Sequence, residues 1–172
     1  SAEFGTPRDL TGLESEANIF RYRPAQVVLR ISADAAPREV ARVLAAAHRA
    51  SASVQVIVDP AAPEEVTAVL AAAGGLGFPV SSLDDATFAA QLSLGALDDD
   101  ASARVRYVGS VPDATREQLA GRPEVALLDD DVTASGRVEL RFWLKEQALA
   151  MTLHRFGNPA PAFHALATEL KG

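Results

Sequence analysis

Hydrophobic positions along the chain fall into short dense runs, and polar or alanine-rich stretches with helical spacing separate them. Asn18-Ile19-Phe20-Arg21-Tyr22-Arg23 alternates loosely and ends at Pro24, which predicts a short edge strand. Gln26-Val27-Val28-Leu29-Arg30-Ile31 is denser and predicts an inner strand. Asp34 and Pro37 then open a helix whose apolar face is Val40, Val43, Leu44 and Ala47. The unit repeats. Val54 to Val58 is a strand, Pro60 to Pro63 turns, and Glu64-Glu65 begin a helix, where the helix dipole favours anions. Val66, Val69, Leu70 and Ala73 are its inner face, and Gly74-Gly75 cap its end. Phe78-Pro79-Val80 is a weak third strand. Asp84 or Asp85 caps a helix through Phe88 and Leu92 to about Gly95, and Asp98 to Asp100 form a solvated loop. Arg104 to Val108 is a fourth strand, Asp113 caps a helix that Gly121 ends, and Glu124 to Leu128 is a fifth strand.

Strands alternating with helices of this length predict an α/β fold. It is a Rossmann-like three-layer arrangement, a parallel sheet with helices on both faces. Residues 1–24 read as an N-terminal arm and edge strand, 25–159 as the Rossmann-like domain, and 160–172 as a C-terminal helix or tail. The stretch from Gly136 onward carries two periods at once. Val138, Leu140, Phe142 and Leu144 alternate, whereas Leu140, Trp143, Leu144 and Gln147 have helical spacing. Strong helix formers favour a helix to about Glu146. Ala148 to Leu153 then reads as a sixth strand and Phe163 to Leu170 as a terminal helix.

Composition narrows the function classes. The chain has 172 residues, enough for a substantial core, and a net charge of −7. An acidic surface with scattered basic residues opposes nucleic acid as a partner. There is no Cys, which excludes disulfides, thiolate nucleophiles and Cys-ligated metal. No apolar run is long enough to cross a bilayer and no signal peptide is recognisable, so the simplest location is the cytoplasm. The first residues read as a segment cut from something longer.

Direct evidence of chemistry is sparse. His48, His154 and His164 lack metal-ligand spacing. The acidic clusters do not follow a calcium-loop pattern and read as caps and solvated turns. Gly74-Gly75-Leu76-Gly77 follows a helix, whereas a dinucleotide fingerprint must follow a strand and open a helix. The turn after the first inner strand, Ser32 to Pro37, has no glycine and places Asp34 where phosphates would lie. Gly109-Ser110 follows a strand and precedes a helix, which makes it a weak candidate for cofactor or anion binding. No catalytic residue or metal site is assigned.

Several segments resemble known enzymes. Val56-Ile57-Val58-Asp59-Pro60 with Pro63-Glu64-Glu65, and Tyr107-Val108-Gly109-Ser110, are similar to strand-turn elements of the aldehyde dehydrogenase cofactor domain. Glu16 to Pro24 and Gly136 to Gly157 resemble the C-terminal region of actinobacterial-type bifunctional proline utilization enzymes. Those enzymes oxidise proline with FAD and then pyrroline-5-carboxylate to glutamate with NAD. The departures from the family pattern matter. Asp59 stands where an active aldehyde dehydrogenase has a ribose-binding Lys, Val111-Pro112-Asp113 lacks a later glycine, and the catalytic Cys is absent. The resemblance therefore implies a degenerate, non-catalytic relative of the cofactor domain, holding no cofactor of its own. It implies a structural role in assembly or tunnel covering. Its partners would be the catalytic domains of the same enzyme or a second subunit, and homo-oligomers are compatible with it. Trp143, Met151, His154, Arg155, Phe156 and Asn158 are the candidate docking residues.

Overall fold

The computed structural model describes residues 2–93, 104–155 and 157–171. In chain order the elements are α1 (Ala2–Gly5), β1 (Arg8–Asp9), β2 (Glu16–Pro24), β3 (Gln26–Ile31), α2 (Pro37–Arg49), β4 (Ser53–Val58) and α3 (Glu64–Ala72). Then come β5 (Val80–Ser82), α4 (Asp85–Ser93), β6 (Arg104–Val108), α5 (Asp113–Ala120), β7 (Ala126–Leu128) and α6 (Gly136–Leu140). The last are β8 (Leu144–Thr152), β9 (His154–Arg155), β10 (Asn158–Pro159) and α7 (Pro161–Lys171). They form two compact units, 24–143 and 1–23 with 144–172.

The larger unit is the expected α/β fold. Five parallel strands run in the order β5-β4-β3-β6-β7, the spatial order of a doubly wound dinucleotide-binding sheet. The dense apolar runs take the centre because an inner strand is covered on both faces. From Val27 to Ile31 every residue of β3 is buried, whereas β5 at one edge is exposed throughout. On one face Val28, Ile57, Val105 and Tyr107 pack with Phe88 and Leu92 of α4 and Leu119 of α5. Helices α2, α3 and α6 form the other layer. Val40, Val43, Leu44 and Ala47 of α2 are all buried, as their spacing predicts.

Four local expectations change. Asp34 does not cap α2: Ala36 occupies the N-cap position without a side-chain bond and Pro37 begins the helix. Gly74-Gly75 do not end α3, which tightens into a 3₁₀ turn over Ala73–Leu76, and Gly77 supplies the left-handed residue at φ 76°. Asp84, by contrast, does cap α4, since its Oδ1 accepts from the Thr87 amide at 2.7 Å. The third strand begins at Val80 rather than Phe78, because Pro79 has no N–H for the ladder. Helix α5 begins at Asp113 itself, with Pro112 as its cap residue. Gly95, Asp98 to Asp100 and Phe156 lie outside the described residues.

The smaller unit corrects the reading of the last third of the chain. The helix expected to about Glu146 stops at Leu140, a 3₁₀ turn covers Arg141–Trp143, and strand β8 runs from Leu144. Along β8, Lys145, Gln147, Leu149 and Met151 are partly buried while Glu146, Ala148, Ala150 and Thr152 are exposed. That alternation is a strand with one covered face. β8 does not join the parallel sheet. It belongs to a three-stranded sheet ordered β1-β2-β8, so β2 is a central strand there and not an edge. Residues 144–159 accordingly group with 1–23. Ala17, Ile19, Leu153 and Ala167 form this unit's core, with Leu149, Met151 and Leu170 packed against it. Arg21 Nε donates to Gln147 Oε1 at 2.7 Å, a bond between residues that only the fold brings together.

Candidate functional site

In an open α/β sheet the ligand crevice lies beyond the carboxyl ends of the strands, where the strand order reverses. Here that point is between β3 and β6. Gly109 leaves β6 at φ 92°, a conformation that suits glycine. A Cβ at this position would overlap Ser32 Oγ and stand 2.6 Å from Asp34 Oδ1. The turn is therefore pressed against the end of β3.

That close approach brings Asp34 onto Ser110. The Ser110 amide donates to Asp34 Oδ1 at 2.9 Å, and the Ser110 hydroxyl donates to Asp34 Oδ2 at 2.5 Å. The Ser32 hydroxyl also bonds to Asp34 Oδ1. The Ser110 hydroxyl, then the Ser32 hydroxyl and the Ser110 amide, hold the Asp34 carboxyl down at about 2. Asp34 thus occupies the donors that an anion in the crevice would use. The crevice has a volume of about 300 Å³. Asp34, Glu39, Asp129, Asp130 and Asp131 line it against a single guanidinium, Arg116. Arg116 is itself 2.7 Å from Asp129. This balance repels phosphate.

Asp59 has a different occupation. It is buried at the end of β4, 2.8 Å from Arg30 Nη2, and its Oδ1 accepts from the Ala61 amide at 2.8 Å. Arg30 is wholly buried in β3. It also reaches Asp85 Oδ1 at 2.6 Å and the Leu83 carbonyl at 2.7 Å, and its guanidinium lies 5.0 Å from the Phe88 ring centroid. Burial works against the Arg30 charge, but the bonds to Asp85 and Tyr107 outweigh it and raise the group above its ordinary value. Tyr107, beside it on β6, is pushed up to about 12, chiefly by burial.

A second wholly buried guanidinium, Arg106, points to the opposite face. Its Nε and Nη2 donate to Glu139 of α6 at 3.1 and 3.2 Å. Nη1 donates to the carbonyls of Leu128 and Asp130 at 3.0 and 2.6 Å, which ties down the acidic turn after β7. The Phe142 ring centroid is 4.3 Å from its guanidinium carbon. Arg30 and Arg106 were not singled out as site residues from sequence. The available signal was a charged residue inside an otherwise apolar strand, since a buried charge needs a partner.

The six expected docking residues separate. Trp143 is wholly buried in the larger unit, and its carbonyl accepts from the Ala25 amide at 2.9 Å. The others belong to the smaller unit. Met151 is half-buried against the core there. His154 is half-buried on β9, and its Nδ1 has no partner among the described residues. Arg155 and Asn158 are exposed and face each other across the β9–β10 pair, which turns at Gly157, φ 82°. Phe156 lies outside the described residues. No group of three or more metal-ligating side chains occurs among the described residues, and no described helix is long and apolar enough to cross a membrane.

No protein-family model matches the chain and no curated protein sequence matches it. Among solved structures, the chain is similar to proline utilization A from Corynebacterium freiburgense. The match has 25% identity and a TM-score of 0.48, and covers 90% of this chain. The chain spans only 12% of the length of that structure.

Proposed function

We propose that this chain is the non-catalytic C-terminal domain of a bifunctional proline-catabolic enzyme, serving assembly or the covering of the tunnel between its active sites. The observation that carries the non-catalytic half of this reading is the seat of Asp34 on Ser110. A cofactor domain of this topology uses the turn after its first strand for phosphate. In this chain the Asp34 carboxylate fills that place, and four further acids, Glu39 and Asp129 to Asp131, line the same crevice. Asp59, at the position of a ribose-binding Lys, is the counter-ion of buried Arg30. These residues do not fit a dinucleotide. FAD and NAD belong to the parent enzyme, and the fragment holds neither. The proline-catabolic half rests on the resemblance of Glu16 to Pro24 and Gly136 to Gly157 to that enzyme family.

The docking function falls to the smaller unit, where Arg155 and Asn158 are exposed on a two-stranded ribbon and Phe163 and Leu166 are exposed on α7. Deleting residues 144–172 from the full-length enzyme is expected to change its oligomeric state or lengthen the lag in coupled proline-to-glutamate turnover. Unchanged assembly and unchanged coupled kinetics would sink the reading. A nucleotide- or anion-binding module at Gly109-Ser110 is the second reading, and it requires Asp34 to release the Ser110 amide and hydroxyl. Heat on titrating NAD into the 172-residue chain at millimolar ligand would favour it over the first.

A further inference from the structure

Helix α2 presents Arg38, Arg42, Ala45 and Arg49 to solvent at intervals of four, three and four residues, which is one stripe of a helix. Arg42 and Arg49 stand at a cleft of about 310 Å³ between α2 and residues 133–140. Apart from Thr133, its uncharged walls are small or apolar: Ala45, Ala46, Ala134, Gly136 and Leu140. The acid in its lining, Glu139, is committed to Arg106. Among the described residues neither Arg42 nor Arg49 has a hydrogen-bond or ion-pair partner. In a chain of net charge −7, two uncompensated guanidiniums over an apolar floor reverse the local sign. The cleft is far larger than the about 30 Å³ of one water, and its small residues leave room for side chains supplied from outside.

We infer that this groove docks an acidic amphipathic helix of another polypeptide. Charge complementarity selects the occupant, and spacing selects its form. Arg42 and Arg49 are two helical turns apart, about 10 Å along the axis. Carboxylates at positions i and i+7 of a docked helix have the same separation, and apolar residues at i+3 and i+4 then face Ala45, Ala46 and Gly136. This is helix-in-groove recognition, in which apolar filling supplies affinity while the charges set register and encounter rate. The groove lies wholly within residues 24–143 and the inference is independent of the parent enzyme.

The test uses the full 172-residue chain and a capped helical peptide of about 18 residues with Glu at i and i+7 and Leu at i+3 and i+4. Binding is followed by fluorescence anisotropy. The acidic peptide is expected to bind, and the double variant Arg42→Glu, Arg49→Glu to bind it at least roughly tenfold more weakly. Both substitutions are on exposed positions, so the circular dichroism spectrum should not change, and the melting temperature should fall only slightly, since Arg49→Glu places an acid in the last turn of α2. Gly136→Phe should block the peptide by bulk alone. A Cβ on Gly136 meets no heavy atom within 4 Å, so this variant folds without a clash at that atom. Replacing both peptide glutamates by glutamine should also weaken binding, by less than the arginine reversal, because it removes the attraction without adding repulsion. Three results would overturn the inference: no binding at millimolar peptide, equal binding of the glutamine peptide, or binding unaffected by both sets of variants. Variant-sensitive binding of dodecanoate without binding of the peptide would also overturn it, assigning the groove to a small amphiphilic carboxylate.

Discussion

Gly109 shows how much a single position controls at the carboxyl end of the sheet. Its φ of 92° and its proximity to Ser32 and Asp34 leave no space for a methyl group. Gly109→Ala is expected to cost roughly 2–3 kcal/mol of stability through backbone strain and displaced partners, read from the midpoint of a urea melt. A midpoint within error of the parent would refute the close approach. Asp34 carries the pH dependence of the same turn. Its folded value, about 2, is lower than the unfolded value of 3.8, so its contribution is complete above the unfolded value and is lost as pH falls through the folded one. Asp34 is solvent-exposed, and after allowance for screening the contribution is about 1 kcal/mol. The stability gap between the parent and Asp34→Asn should therefore be flat above pH 5 and shrink by about that amount toward pH 2. A gap independent of pH would refute it. Glu139 is the third test at this scale. Glu139→Ala leaves Arg106 buried without its carboxylate, and the expected loss is roughly 3–5 kcal/mol by chemical denaturation.

At the scale of elements, local pattern and observed structure agree where one face of an element is simply covered. The face of α2 and the runs of β3, β4 and β6 were legible because burial there follows a fixed period. They diverge where propensity and pattern compete. Glu139, Leu140, Leu144 and Lys145 favour helix intrinsically, yet β8 starts at Leu144, because pairing with β2 and burial of Leu149 and Met151 outweigh a few tenths of a kcal/mol per residue. The alternation makes a prediction. Leu149→Ala and Met151→Ala should each cost roughly 1–3 kcal/mol, while Ala148→Lys and Ala150→Lys should stay within about 0.5 kcal/mol, as measured by thermal melts. Equal costs on the two faces would contradict the strand. The candidate site was only half legible at this level. Gly109-Ser110 could be recognised as a turn between strand and helix, and Asp34 as a wrong sign for phosphate. That the two meet could not be read.

For the whole molecule, two compact units with separate cores replace the arm, domain and tail expected from sequence. Trp143 is the single Trp, belongs to the larger unit and is wholly buried, so its emission follows the opening of its own surroundings. Far-ultraviolet circular dichroism reports both units. The two urea transitions are expected not to coincide, with the dichroism losing amplitude first as the smaller unit opens. Superimposable curves would mean that the units unfold as one.

By itself the sequence determined the alternation of strands and helices, the inner strands and the buried face of α2. Each follows from a period carried within a dozen residues and from the cost of leaving apolar surface in water. It also determined what chemistry is missing, since a chain without Cys cannot supply a thiolate. Only the tertiary structure decided which polar groups meet. Asp34 and Ser110 are 76 positions apart, and Arg106 and Glu139 are 33 apart. No local pattern encodes such pairs. A buried charge or a filled anion turn must find a partner, and strand order and crossover geometry choose it. The same holds for β8, whose period is local but whose sheet is not.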